Sequence, residues 1–330
     1  MDFFGSFQKQ LCEVNARSFV DIALELFDYQ SRYNPIYNSY LTHLKIDPRT
    51  ITTLASIPYL PISFFKRHYI KTGAWQEQGV FESSRTTGGM ASSHLIFDKQ
   101  FYLGHATRCF EHFFGNLRKY HFLALLPSYL ERQNSSLIAM IDYFMQQSGS
   151  TSSGYYLNDY GKLISDVERL KGDRERRTIL WGVSFALLDL VEKSPADLSH
   201  CLIFETGGMK GRRRELIRGE FHDILKSSLG VGKVYSEYGM TELFTQAYSD
   251  GGETFKCPPS MRVLGREITD PFNKGLLGQS CALNIIDLAN WHSIAFIETE
   301  DLGKVYADGS FEVAGRLDNA DMRGCNLMVE

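Results

Sequence analysis

The sequence predicts an α/β protein, with layered helices around mainly parallel sheet and a smaller β-rich part. Short apolar runs such as HFLALLP, TILWGV and HCLIFET alternate with segments of helical periodicity. Buried strands separated by helices are typical of parallel sheets. After Tyr248 the pattern changes to short strands and turns, with a hairpin predicted at Asp308-Gly309.

The first 70 residues are predicted to be mainly helical. Apolar residues recur there at helical spacing, as in Phe19, Ile22, Ala23, Leu26 and Phe27, until two prolines in IPYLPISFFK force extended backbone. We therefore divide the chain into four parts: a helical part at 1–78, an α/β core at 79–248, a β-rich subdomain at 249–314 and a tail at 315–330.

Composition and charge exclude several classes of protein. Apolar residues make up 43% and charged residues 22%, as in ordinary globular proteins. A net charge of −4 argues against binding to nucleic acid or to anionic membranes. The chain has no apolar run of about 20 residues for a membrane span, and its N-terminus lacks the features of a signal peptide. We expect a cytoplasmic protein, with its six scattered cysteines as free thiols.

Three polar loops follow predicted strands: SSRTTGG, ETGGMKGRRR and SEYGMTE. Each contains glycine together with a hydroxyl or carboxylate side chain. Ligands of parallel α/β sheets bind beyond the carboxyl ends of the strands, so these loops are candidates for a common site. Taken alone, the first loop fits either a surface turn or a loop that wraps phosphates, and it lacks the Gly-Lys-Ser/Thr of a P-loop.

At these motifs the sequence resembles the adenylate-forming enzymes, the superfamily of acyl-CoA synthetases. SSRTTGG resembles their phosphate loop, SEYGMTE their Tyr-Gly-Met-Thr-Glu motif, and GRLDNADMRG their hinge motif. PISFFK, LPSYLERQNSSL, ETGGMKG and RGCNLM resemble the acyl-protein synthetases of bacterial fatty-acid reductase complexes. The resemblance implies the fold of the family's N-terminal domain, and activation of a carboxylic acid, with a fatty acid favoured, by ATP and Mg²⁺.

The resemblance also implies roles for individual residues. Tyr238 would stack on adenine, Thr241 would contact the α-phosphate, and Glu242 would bind Mg²⁺. The phosphate loop would bind the β- and γ-phosphates through Ser83, Ser84, Thr86, Thr87 and Gly88. The ribose would be bound by Asp301 and Arg316. Close approach of the chain to the nucleotide would be allowed by Gly207 and Gly208. Cys325 matches the cysteine that takes the acyl group as a thioester, with a buried hydrophobic role as its alternative. An acyl reductase or acyl-carrier protein would then be a partner.

The sequence departs from the family at two places. Arg85 stands where most members have glycine, and the hinge motif is followed almost at once by Glu330. We therefore expect the mobile C-terminal domain to be essentially absent and assign no residue to its lysine. The alternatives are a ligase that uses CoA or an acyl carrier, and a catalytically silent binding protein. His94, shortly after the first loop, is interpreted as structural.

Overall fold

Nine helices and fifteen strands are found in the residues that the computed structural model describes, which are 3–83, 90–127, 134–207 and 216–317. The helices are α1 (Phe3–Glu13), α2 (Phe19–Tyr33), α3 (Pro35–His43), α4 (Phe64–Arg67), α5 (Lys99–Phe114), α6 (Ser136–Ser148), α7 (Tyr160–Leu170), α8 (Ser184–Lys193) and α9 (Arg218–Leu229). The strands are β1 (Leu60–Pro61), β2 (Gly79–Glu82), β3 (Ser93–Ile96), β4 (Tyr120–Leu125), β5 (Gly154–Tyr155), β6 (Arg177–Val183), β7 (Cys201–Thr206), β8 (Val234–Tyr238), β9 (Ala247–Ser249), β10 (Phe255–Lys256), β11 (Met261–Arg266), β12 (Lys274–Leu276), β13 (Cys281–Asp287), β14 (Phe296–Val305) and β15 (Phe311–Arg316).

The parallel part of the main sheet has the strand order β5-β4-β6-β7-β8. Helices α6 to α9 lie between these strands in the chain, as expected for parallel strands that need crossover connections. All six residues of β4 and of β7 are buried, including the apolar runs at 122–125 and 202–204. The register pairs Thr206 with Glu237, so the carboxyl ends of β7 and β8 lie side by side.

The antiparallel part continues the same sheet beyond β8, in the order β9-β10-β15-β14-β13-β11-β12. Strand β1 adds to β14 in parallel, and β2 and β3 form a separate antiparallel pair. The predicted α/β fold is therefore confirmed, as one mixed sheet with a parallel and an antiparallel part. The division at 78, 248 and 314 stays a prediction.

The N-terminal helices pack on the antiparallel part of the sheet. The apolar positions predicted for α2 are buried, and Phe27 packs edge-on against Phe296 of β14, with ring centroids 5.9 Å apart. The side chain of Asn34 caps α3 by accepting from the N–H of Tyr37 at 3.0 Å, just before Pro35 at the first helical position. None of the described helices combines the length and apolar character needed to cross a membrane.

A row of aromatic rings fills the layer between the parallel strands and α5. Trp181 stacks on Phe204 with ring centroids 4.9 Å apart, and Phe204 stacks on Tyr235 at 5.0 Å. From α5, Phe110 and Phe114 pack against this row. The row anchors β6, β7 and β8 to one another, and thereby fixes the positions of the loops at their carboxyl ends.

Candidate active site

Three residues predicted for nucleotide binding are in direct contact. The hydroxyl of Tyr238 donates a hydrogen bond to Asp301 Oδ2 at 2.7 Å, and Arg316 Nε donates to Asp301 Oδ1 at 3.1 Å. Both oxygens of this carboxylate therefore have a protein donor. Tyr238 and Asp301 are buried, whereas the side chain of Arg316 is two-thirds exposed, so the group opens to solvent on the arginine side.

Strand pairing places these residues together. Asp301 of β14 lies directly opposite Arg316 of β15, and Tyr238 is the last residue of β8. The ring of Tyr238 packs against Phe255 and Phe311, with centroids 5.6 and 5.2 Å away. Burial, followed by the neighbouring Asp301 carboxylate, raises the pKa of Tyr238 well above its usual value. The phenol consequently keeps its proton and acts as a hydrogen-bond donor.

The 239–246 turn follows β8 and contains Thr241 and Glu242. Thr241 is half-buried, while Glu242 is 6% exposed. Burial raises the pKa of Glu242, although a hydrogen bond with Ser92 and the charges of Arg316 and Lys66 oppose this shift. Glu242 is thus a desolvated carboxyl group close to the Asp301–Arg316 pair.

The first predicted loop begins next to this turn. The Ser83 N–H donates to the Ser92 carbonyl at 3.0 Å, and the Ser92 N–H donates to Ser83 Oγ at 2.9 Å. These two hydrogen bonds close the base of the loop. His94, two residues after Ser92, lies 3.0 Å from the Thr241 carbonyl through its Nδ1, so the base of the loop lies beside the 239–246 turn.

Gly207 directly follows β7 and has φ +70°, a conformation that favours glycine. Its carbonyl accepts a hydrogen bond from the Ser184 hydroxyl at the start of α8. Ser184 also lies 3.1 Å from the buried Glu205 carboxylate. Burial opposes the charge of Glu205, but hydrogen bonding with His222 and the charge of Arg218 outweigh it and lower the pKa of Glu205.

Glu237 faces the opposite side of β8 from Tyr238. It is buried, and it accepts a hydrogen bond from the Thr206 hydroxyl. Burial raises the pKa of Glu237 to about 7. Its carboxyl group lies over the backbone of Gly239, where an added Cβ would come within 2.2 Å of Glu237 Oε1. The glycine of the Tyr-Gly-Met-Thr-Glu motif therefore leaves room for this carboxyl group.

Several predicted site residues lie outside the described residues: Ser84, Thr86, Thr87, Gly88, Gly208 and Cys325, together with Arg85. Their roles stay predictions. In the described part of the chain, no group of three or more His, Cys, Asp or Glu side chains is arranged to hold a metal ion. A cation at Glu242 would therefore depend on oxygen ligands from a bound nucleotide or from water.

Sequence reasoning missed the buried residues that support the 239–246 turn. His94 Nδ1 lies 3.0 Å from the Thr241 carbonyl, and Asn290 Nδ2 donates to the Glu242 carbonyl at 2.7 Å. Asp287 accepts from the N–H groups of Phe244 and Thr245 at 2.8 and 2.9 Å. No local motif marks these three residues, since each acts across a long stretch of chain. His94 is buried and bonds to the backbone of Thr241, which agrees with its interpretation as a structural residue.

Comparison with known proteins identifies the fold but no closer relative. No protein-family model and no curated protein matches the sequence. Among solved structures, 2-hydroxyisobutyryl-CoA ligase in complex with 2-HIB-AMP and CoA matches with a TM-score of 0.67 at 14% identity, over 92% of this chain and 69% of that chain. ATP-bound MatB from Rhodopseudomonas palustris matches with a TM-score of 0.54 at 16% identity, over 74% of this chain and 49% of that chain.

These matches show that the described chain has the α/β fold of adenylate-forming ligases, as the sequence predicts. The chain spans about half the length of the MatB structures that it matches. At such identities the likeness concerns the fold, and function has to be argued from the site.

Proposed function

We propose that this protein activates a carboxylic acid with ATP, forming an acyl-adenylate and pyrophosphate. The contact of Tyr238, Asp301 and Arg316 beside Glu242 carries the proposal. These three residues and Glu242, which are all predicted to bind the nucleotide or its metal ion, lie near the carboxyl end of β8. Ligands of α/β folds bind at this end of the strands. The fold shared with structures that contain ATP or an acyl-AMP supports the same conclusion.

In the proposed reaction, a carboxylate oxygen of the acid attacks the α-phosphorus of ATP. A bond forms between that oxygen and phosphorus, and the bond from phosphorus to the bridging oxygen breaks, so that pyrophosphate leaves. Protein groups contribute mainly by positioning two anions and by stabilising the charge of the transition state. Thr241 would contact the α-phosphate, and the loop from Ser83 to Gly88 would bind the β- and γ-phosphates. Gly207 and Gly208 would let the chain approach the nucleotide closely.

Asp301 and Arg316 are suited to bind the ribose. The carboxylate can accept from a ribose hydroxyl while Arg316 donates to one, and the exposed side of Arg316 is accessible to a ligand. Tyr238 fixes Asp301 through its hydroxyl, and adenine stacking is its proposed second role. The pair thus supplies both a donor and an acceptor for a sugar diol.

Glu242 fits the Mg²⁺ that the resemblance implies. Its carboxylate is a hard oxygen ligand, and burial leaves it poorly hydrated, which the positive charge of a cation would offset. Mg²⁺ bound there would neutralise part of the charge on the nucleotide phosphates. One carboxylate together with substrate phosphates is a common way for proteins to bind this ion.

We propose a protein thiol as the final acceptor, with Cys325 as the first candidate and a fatty acid as the favoured substrate. The thiolate would attack the acyl carbonyl, a thioester would form and AMP would leave. Burial raises the pKa of Cys109, Cys201 and Cys257 to about 12, and it also raises the pKa of Cys281. Among the described cysteines, only Cys12 is exposed. An acyl reductase or an acyl-carrier protein would then receive the acyl group.

The test is incubation of the purified protein with Mg-ATP and a panel of radiolabelled carboxylic acids, read by a pyrophosphate assay and a denaturing gel. Glu242→Gln should abolish pyrophosphate release, whereas the exposed Glu175→Gln, at the opposite end of the parallel strands, should retain it. Acyl label should disappear in Cys325→Ser and persist in Cys12→Ser.

Each outcome separates one alternative. Pyrophosphate release without acyl label on the protein would indicate that CoA or an acyl carrier, and not a thiol of this protein, accepts the acyl group. Absence of pyrophosphate with every acid would contradict the proposed activation and favour a silent binding protein, with Arg85 as the first residue to replace.

A further inference from the structure

His94 connects the strand after the first loop to the turn that contains Thr241. It lies on β3 and is fully buried. Its Nδ1 is 3.0 Å from the Thr241 carbonyl oxygen, and its Nε2 is 2.8 Å from Ser293 Oγ. The ring packs on Phe244 of the same turn, with centroids 4.6 Å apart. Its two nitrogens and one face are therefore all engaged.

The partners of His94 define its tautomer. A carbonyl oxygen can only accept, so Nδ1 carries the hydrogen and donates to Thr241. Burial lowers the pKa of His94 to about 4, which keeps the ring neutral near pH 7. Nε2 therefore has a lone pair and accepts from the Ser293 hydroxyl. A neutral ring with one defined tautomer holds the Thr241 carbonyl in a fixed direction.

Ser293 is itself fixed by residues from the N-terminal part of the chain. Its carbonyl accepts from Asn34 Nδ2 at 2.8 Å and from the hydroxyl of Thr72. Gln30 of α2 donates to the carbonyls of Asn290 and Trp291, both at 3.1 Å. These residues are buried, so the hydrogen bonds are shielded from water. Helix α2 and the 239–246 turn are thus connected through one ordered segment.

We infer that His94 is a positioning residue for the adenylation step, acting by fixing the Thr241 carbonyl and with it the Thr241 and Glu242 side chains. This inference rests on the proposed function, since it assigns Thr241 and Glu242 to the reacting nucleotide. Asn290, which donates to the Glu242 carbonyl, fixes the next peptide of the same turn. Two consecutive carbonyls are therefore held by buried side chains from different parts of the chain.

His292 provides a matched comparison inside the same cluster. It is as deeply buried as His94, and the two rings lie nearly parallel with centroids 5.9 Å apart. His292 interacts with the backbone of Leu95, and neither of its ring nitrogens makes a hydrogen bond to the 239–246 turn. Replacement of His292 by phenylalanine removes no hydrogen bond to the 239–246 turn, whereas the same change at His94 removes the bond to the Thr241 carbonyl and the bond to Ser293.

The experiment compares His94→Phe, His94→Asn and His292→Phe with the wild type. We expect kcat for pyrophosphate release to fall about 100-fold in His94→Phe, the size of effect that a displacement of about 1 Å can cause. Asn can place an N–H near the Thr241 carbonyl, so His94→Asn should recover at least tenfold of this loss. His292→Phe should keep kcat within about threefold. KM for ATP should change less than kcat in every variant.

Amide hydrogen exchange supplies a readout that needs no activity. Peptides from the 239–246 turn should lose protection in His94→Phe and keep it in His292→Phe, with the rest of the described sheet unchanged in both. Equal effects of the two variants, or unchanged exchange in the turn of His94→Phe, would overturn the inference. The wild type could release no pyrophosphate while His94→Phe alone loses protection in the turn. That result would keep the positioning role of His94 and reject only the proposed function.

Discussion

The Tyr238 hydroxyl donates to Asp301 Oδ2 across 2.7 Å, although the two residues are 63 positions apart in the chain. Asp301 is 4% exposed, so this bond has little competition from water. Tyr238 therefore has a task besides any contact with adenine, which is to orient the carboxylate that Arg316 also binds. This relationship allows the hydroxyl to be tested separately from the ring.

Tyr238→Phe keeps the ring and removes the hydroxyl. We expect ATP to bind roughly 10-fold more weakly, because a hydrogen bond to a charged group contributes about 1.5–3 kcal/mol and 1.4 kcal/mol corresponds to tenfold. Isothermal titration with ATP measures the effect. Tyr306→Phe is the control, since Tyr306 also donates to a carboxylate, that of Glu312, in the β14–β15 hairpin. Equal affinities of Tyr238→Phe and the wild type would show that the bond does not orient Asp301 for the ligand.

Glu237→Gln should change how stability depends on pH. The pKa of Glu237 is raised from 4.5 to about 7 in the fold, so between these pH values the folded protein retains a proton that the unfolded chain has released. Wild-type stability therefore carries no penalty from this group below pH 4.5 and loses about 3 kcal/mol as pH rises to about 7. The glutamine variant lacks this loss. We expect urea unfolding at pH 5 and pH 8 to show that the free energy of unfolding of the variant, relative to that of the wild type, is higher at pH 8 than at pH 5. If the free energies of unfolding of the two proteins changed with pH in the same way, the Glu237 carboxyl would not be neutral in the fold.

Gly239→Ala tests the space beneath the Glu237 carboxyl. The added methyl would lie 2.2 Å from Glu237 Oε1, so the carboxyl group has to leave its place over the turn. We expect a fall of about tenfold in kcat for pyrophosphate release, with a loss of about 1–2 kcal/mol in the free energy of unfolding. Gly232→Ala, in the connection before β8, is the control because no atom lies within 4 Å of its added Cβ. Identical behaviour of the two variants would show that the turn tolerates the displacement.

Gln30→Leu tests the connection between α2 and the segment that supports the turn. The amide of Gln30 donates to the carbonyls of Asn290 and Trp291 and accepts from the N–H of Ala295 at 3.0 Å. Leucine would remove the Gln30 partner of the buried Trp291 carbonyl and Ala295 N–H, whereas the Asn290 carbonyl would still accept from the Ser293 N–H. We expect a cost of about 2–4 kcal/mol in the free energy of unfolding. Denaturant unfolding measures it. Gln10→Leu is the control, because the buried Gln10 Oε1 has no hydrogen-bond partner among the described residues, and a comparable loss there would refute the interpretation.

Much of the fold could be predicted from local patterns. Short apolar runs marked β4, β6 and β7, because strands covered on both faces bury most of their side chains on either side. Helical spacing marked α2, and Asp308-Gly309 marked the turn of a hairpin whose strands pair as Val305 with Phe311. The glycine and hydroxyl loops after β7 and β8 marked the candidate site because parallel strands end at a common edge.

The sequence by itself determined the α/β fold, the order of its elements and the residue types gathered at the carboxyl ends of the strands. These follow from periodicity and turn chemistry, which act between neighbours in the chain. Only the tertiary structure decided that Asp301 meets Tyr238 and Arg316, and that His94 reaches Thr241 across 147 positions. A buried polar group takes its partner from whatever backbone the packing brings near, and that choice depends on sheet register and helix placement rather than on any short stretch of residues.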